Sequence, residues 1–132
     1  MSEENIEVVR RTVETFAAGD DVFAKGLVSA ESEWHPAVEM PGVETYVGSE
    51  GFAEFMTLWT EDFEDWKVRL KDVRGRGDRV VAFAHQEGVG TISGARVDMD
   101  FAMVFTLRDG VVTDVRAFLD DDEALAATGL RE

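Results

Sequence analysis

The sequence predicts an α+β domain in which three N-terminal helices pack on one face of a curved antiparallel sheet. Three observations carry that expectation. Apolar residues recur at three- and four-residue steps through the first half, the period switches to two from Trp66 onward, and turn signals cut the second half into successive strands. Helices segregated from a run of antiparallel strands pack on one face of the sheet.

Ile6, Val9, Val13 and Phe16 share one stripe of a first helix, with Ser2 placed to cap it and Glu3 and Glu4 at the positive end of its dipole. Gly19 suits the end of that helix. Asp20 or Asp21 then caps a short second helix carrying Val22, Phe23 and Leu27. Glu33, Trp34 and His35 form a short strand that Pro36 confines to an edge or a strand end. Pro41 and Gly42 mark a loop. A third helix, from Ser49 or Glu50 to about Phe63, aligns Phe52, Phe55, Met56, Trp59 and Phe63 in a bulky apolar stripe.

Beyond it, Trp66, Val68 and Leu70 alternate with Lys67, Arg69 and Lys71, so one face is buried and the other wet. Gly75 to Asp78 makes a turn, Arg79 to Val89 a strand, and Ser93-Gly94 a hairpin. Val97 to Leu107 follows. Asp109-Gly110 is the strongest hairpin signal, because both central positions of a type I′ turn need positive φ. Val111 to Leu119 closes the sheet, and Asp120 to Ala127 adds a terminal helical turn or two.

The 132 residues suit one domain, spanning 1–132, with a single core. No apolar run is long enough to span a bilayer, and the acidic N-terminus is unlike a signal peptide, so a cytoplasmic protein is expected. With no cysteine there are no disulfides and no thiol nucleophile. A formal charge of −15 repels nucleic acid and anionic membranes, so neither is expected as a partner. The two histidines and scattered carboxylates show no metal-ligand spacing, and Gly88-Val89-Gly90 has no following helix to form a phosphate loop.

Several short segments resemble the SnoaL-like branch of the nuclear-transport-factor-2-like superfamily. They are the Gly19-Asp20 break, Glu33-Trp34-His35-Pro36, Tyr46-Val47-Gly48, Leu107-Arg108-Asp109-Gly110-Val111-Val112 and the terminal Asp121-Asp122-Glu123-Ala124-Leu125. The resemblance runs over essentially the whole chain and implies a cone-shaped, cystatin-like roll with an apolar pocket at one end. Its members include ketosteroid isomerases, polyketide cyclases, dehydratases and epoxide hydrolases, so the site must decide among activities.

The period-two pattern aims Val81, Phe83, His85 and Glu87 inward from one strand. It does the same for Met99, Phe101, Met103 and Phe105 on the next, and for Val115, Ala117 and Leu119 on the last. Trp34, Phe55, Met56, Trp59, Phe83, Phe101 and Met103 are the residues expected to line a pocket for a small hydrophobic molecule; the same side chains could simply be core. His35 is the candidate base, since a neutral imidazole in an apolar setting accepts a proton at neutral pH. The resemblance places it where the isomerases carry their catalytic carboxylate, just before a proline. His85 with Glu87 makes a candidate His–acid pair, and Tyr46 a candidate oxyanion donor. The isomerase pattern departs at Thr12 and Met103, where its oxyanion-binding tyrosine and aspartic acid would fall, so steroid isomerisation is not expected.

Three readings follow from the residues: cofactor-free dehydration, isomerisation or cyclisation centred on His35; ligand binding without chemistry; or a homodimeric interaction module. The third uses an outer sheet face carrying Arg116 and Phe118 beside Ala102 and Val104. No cofactor is expected in any of them.

Overall fold

The computed structural model describes residues 2–37, 45–61 and 63–129, apart from the side chains of Ser2, Leu58 and Trp59. In chain order the elements are α1 (Ser2–Ala17), β1 (Val28–His35), β2 (Tyr46–Val47), α2 (Gly48–Thr60) and β3 (Phe63–Arg76). They continue with β4 (Arg79–Gly90), β5 (Arg96–Arg108), β6 (Val111–Phe118) and α3 (Asp121–Thr128). The Pro41-Gly42 loop and the cap expected of the Ser2 side chain lie outside the described residues.

The period-two half becomes an antiparallel meander, β3 to β6. Asp109 (φ 53) and Gly110 (φ 76) form the last hairpin in the left-handed conformation that the Asp-Gly pair implies. β1 adds to β6 in parallel, with Trp34 opposite Val115, and β2 pairs with β1. The result is one mixed six-stranded sheet in the order β2-β1-β6-β5-β4-β3. Register shifts between Glu64 and Lys67, Leu70 and Asp72, and Thr106 and Leu107 interrupt the ladders. An extra residue on one strand increases local twist, and these bulges bend the long strands.

Two helices lie on the concave side. α1 presents Val9 and Val13 to a core containing Val80, Ala82, Ala84, Phe101, Met103, Phe105 and Val115; α2 adds Phe55, with Phe52 and Met56 packed at the margin. The second helix expected over Asp20 to Leu27 is instead a series of turns. Asp21 Oδ1 accepts from the Phe23 and Ala24 amides at 2.9 and 3.1 Å, and the Leu27 amide donates to Val22 O. Gly19 (φ 80) and Gly26 (φ 72) punctuate both ends, leaving too few residues between them to propagate a helix.

The third helix is C-terminal. Asp120 caps α3 by accepting from the Asp122 and Glu123 amides, and Gly129 ends it in the left-handed conformation. Its Ala124 closes a second, smaller cluster on the convex face with Val81, Phe83, Ala102 and Val104; Phe118 and Leu125 pack beside it.

That cluster corrects the phase expected for β4. Val80, Ala82 and Ala84 face the main core, whereas Val81 and Phe83 face α3. The run Val80-Val81-Ala82-Phe83-Ala84 is apolar on both faces, so alternation cannot assign its orientation. Pairing with β5 does: Ala84 sits opposite the inward Phe101, and His85 opposite Asp100. The expected inward positions on β5 and β6 hold for Phe101, Met103, Phe105, Val115 and Ala117.

Candidate functional site

Where α1 and α2 meet the concave face, Phe16, Phe55, Met56, Trp66, Phe101, Met103 and Ala117 line a void of about 20 Å³. A second void of about 20 Å³ lies deeper, against Thr12, Val22, Trp34, Phe52 and Phe105. Phe16, Phe55, Met56 and Met103 line both, so these four side chains stand between them. Each has room for about one water, but an apolar lining offers none of the two to four partners a buried water needs.

The polar atoms nearby are already engaged. Thr12 Oγ1 donates to Val8 O at 2.8 Å, Trp34 Nε1 to Ser32 Oγ at 2.9 Å, and Trp66 Nε1 to Gln86 Oε1 at 2.8 Å. Trp34 stacks obliquely on Phe52, centroids 4.6 Å apart, and Phe23 meets Phe52 edge-on at 5.7 Å. Among the described lining residues none ionises. Such a lining offers contacts of shape and dispersion only, with no described side chain to move a proton.

Of the expected lining residues, Trp34, Phe55, Met56, Phe101 and Met103 converge here. Phe83 does not; it lies on the convex face under α3. The Trp59 side chain lies outside the described residues. Phe16 and Trp66 belong to the lining although sequence reasoning placed them only in core stripes. Each carried the signal available, a large aromatic at the end of an apolar stripe nearest the helix–sheet seam.

The proposed proton-moving residues do not join the voids. Trp34 is buried in the core, so its neighbour His35 projects from the opposite face of β1. There His35 Nε2 lies 2.8 Å from Asp114 Oδ1 and 3.6 Å from Glu33 Oε1, and its Nδ1 lies 3.2 Å from Thr45 Oγ1. His85 is likewise on the convex face: Nδ1 lies 2.7 Å from Asp100 Oδ1 and Nε2 lies 3.7 Å from Asp98 Oδ1. Glu87 pairs across the strand with Arg96 at 2.7 Å rather than with His85. Tyr46 is buried with its ring edge-on to Phe55, 5.9 Å between centroids, outside both voids. The inward histidines of the sequence expectation are thus outward histidines. Their side chains are 17% and 22% exposed, shielded by neighbouring carboxylates rather than by an apolar hollow.

Lys71 Nζ also reaches Asp100 Oδ2 at 2.8 Å. Hydrogen bonds from Lys71 and then from His85 hold the Asp100 carboxyl below its ordinary value of 3.8, outweighing the small opposing effect of burial.

The SnoaL-like domain family matches residues 9–115. No curated protein matches the chain. Among solved structures, a protein from Jannaschia sp. CCS1 assigned as a SnoaL-like polyketide cyclase is 24% identical; the match covers 100% of this chain and 96% of that one, with a TM-score of 0.75. TerC, co-crystallized with polyporic acid, is 23% identical over 95% and 97% of the two chains, with a TM-score of 0.74. A protein with a ketosteroid isomerase-like fold from Catenulispora acidiphila DSM 44928, in complex with trimethylamine, is 21% identical over 90% of this chain and 92% of that one, with a TM-score of 0.66. A bent sheet closing on two helices, shared end to end with these proteins, and a family match over most of the length lead to one conclusion: the chain belongs to the SnoaL-like domain family and has the nuclear-transport-factor-2-like fold.

Proposed function

We propose that this protein binds a small, largely apolar, aromatic molecule between the concave sheet face and helices α1 and α2, without acid–base catalysis by His35, His85, Tyr46 or Glu87. The observation that carries this reading is the pair of carbon-lined voids separated by Phe16, Phe55, Met56 and Met103. The two voids together hold about two waters, so a guest is admitted only by displacing side chains; Met56 and Met103, each with three rotatable bonds and a polarizable sulfur, are the lining residues that swing aside and fit themselves to it. Aromatic walls favour a planar guest through offset or edge-on contacts. TerC, which has the same fold, was co-crystallized with polyporic acid, a small organic molecule, and this supports the reading for this chain.

Acid–base chemistry at the same place requires a proton acceptor within hydrogen-bond reach of the ligand. Both histidines lie on the other side of the sheet, so binding is favoured over catalysis here.

Trp34 and Trp66 line the two voids and report occupancy by fluorescence. Titration with a neutral polycyclic dye such as Nile red is expected to change tryptophan emission saturably. Met103→Ala, which opens the partition, is expected to tighten dye binding several-fold while costing about 2–5 kcal/mol of stability, as buried Met→Ala changes do. His35→Ala is expected to leave dye affinity unchanged. Dye binding that ignores Met103→Ala, or that is lost in His35→Ala, overturns the proposal.

A further inference from the structure

On the convex face, far in character from the carbon-lined voids, Glu33, His35 and Asp114 bring three different donor atoms to one point. We propose that these residues form a binding site for a divalent transition-metal ion, of which zinc is the representative. The site pins β1 to β6, the parallel pair of the sheet.

The register explains the convergence. Glu33 pairs with Asp114 and His35 with Arg116 across the parallel ladder, so the three side chains project from the same patch of the same face. One ligand atom from each lies within 4.8 Å of the other two. Tetrahedral zinc with nitrogen and oxygen ligands at about 2.0–2.2 Å sets its donor atoms about 3.4 Å apart. The observed separations from His35 Nε2, 2.8 Å to Asp114 and 3.6 Å to Glu33, bracket that value, and side-chain rotation alone reaches it.

The surroundings suit a metal as well as the donors do. Nδ1 of His35 lies 3.2 Å from Thr45 Oγ1, so with Nε2 on the metal the ring keeps its proton on Nδ1 and donates it to Thr45. Such an outer hydrogen bond fixes the tautomer and orients a ligating imidazole. Arg116 Nε, 3.4 Å from Asp114 Oδ2, engages the far carboxylate oxygen and leaves Oδ1 directed at His35. Two carboxylates balance a dipositive ion, and the exposed Glu33 leaves the fourth position to water.

His85 provides the contrast within the same molecule. Its two carboxylates address opposite ring nitrogens, Asp100 at Nδ1 and Asp98 at Nε2, and Lys71 occupies the other oxygen of Asp100. Those donors bracket the ring without meeting at a point. Sequence spacing gives no hint of the His35 cluster, because Asp114 lies 79 positions from His35.

The test is a calorimetric titration of the chelator-treated 132-residue chain with zinc chloride, and with Co²⁺ as a visible-absorbing substitute. Expected are one saturable equivalent and a rise in thermal midpoint on zinc addition. His35→Ala and Asp114→Asn are each expected to weaken binding at least tenfold. Glu33→Gln, a change at an exposed side chain that the core does not use, serves where the other variants fail to fold and is expected to weaken binding comparably. His85→Ala is expected to have no effect. Absence of saturable binding, binding that survives His35→Ala or Glu33→Gln in folded protein, or equal loss in His85→Ala overturns the site. Dye binding in the concave cavity is independent of all these outcomes.

Discussion

Asp100 accepts from Lys71 and from His85 at once, and it therefore stays ionised to lower pH in the folded chain than in the unfolded one. A carboxyl whose folded pKa is depressed stabilises the fold at every pH above its ordinary value of 3.8. That contribution fades as pH falls through the lower, folded value. Lys71→Met removes the larger of the two causes, so the variant is expected to lose a small amount of stability at neutral pH. The gap from the parent should narrow as pH falls below 3.8, through the lower value of the folded carboxyl, and close once the carboxyl is protonated in both states. Urea midpoints measured across that range check it; a gap that persists in acid would mean the lysine acts through packing of its stem. The effect is small because both partners are well exposed and water competes for them. On the other half of the sheet, Glu33 and Asp114 both face Nε2 of His35.

At the scale of elements, α3 shows how local chemistry and tertiary packing divide the work. It is an eight-residue helix, too short to persist alone. Asp120 satisfies two of its free amides, acidic residues fill its first turn, and Ala124 seats it on Val81, Phe83, Ala102 and Val104. Asp120→Ala is expected to cost about 1 kcal/mol, read as a lower urea midpoint with unchanged slope. An unchanged midpoint would show that sheet contacts alone hold the helix. The helix also covers, within one chain, the apolar patch of Ala102, Val104 and Phe118 from which a homodimer was expected. The cap and the Asp109-Gly110 turn were legible from sequence because they depend on residues in immediate succession. The turns between Gly19 and Gly26 were not: apolar spacing over so short a stretch fits a helix and a knot of turns equally well.

For the whole molecule, a net charge of −15 on 132 residues makes self-repulsion a global opponent of folding. Raising salt from ~0.01 to ~0.2 M shortens the screening length several-fold and is expected to raise the thermal midpoint by a few degrees. A midpoint that falls instead would mean that the surface ion pairs outweigh the repulsion. No helix among the described residues is long and apolar enough to cross a membrane.

Composition, periodicity and turn residues by themselves determined the α+β class, the four-strand meander, the positions of α1 and α2, and most of the concave lining, since each depends on neighbours within a few residues. Tertiary structure alone decided which way β4 faces, because its central run is apolar on both sides and only pairing with β5 chooses. That phase set His85 on the convex side; the joining of β1 to β6 in parallel, likewise decided by tertiary structure, drew Asp114 to His35 there. A one-residue change of phase turns every side chain of a strand over, and the chemistry assigned to a pocket goes with it.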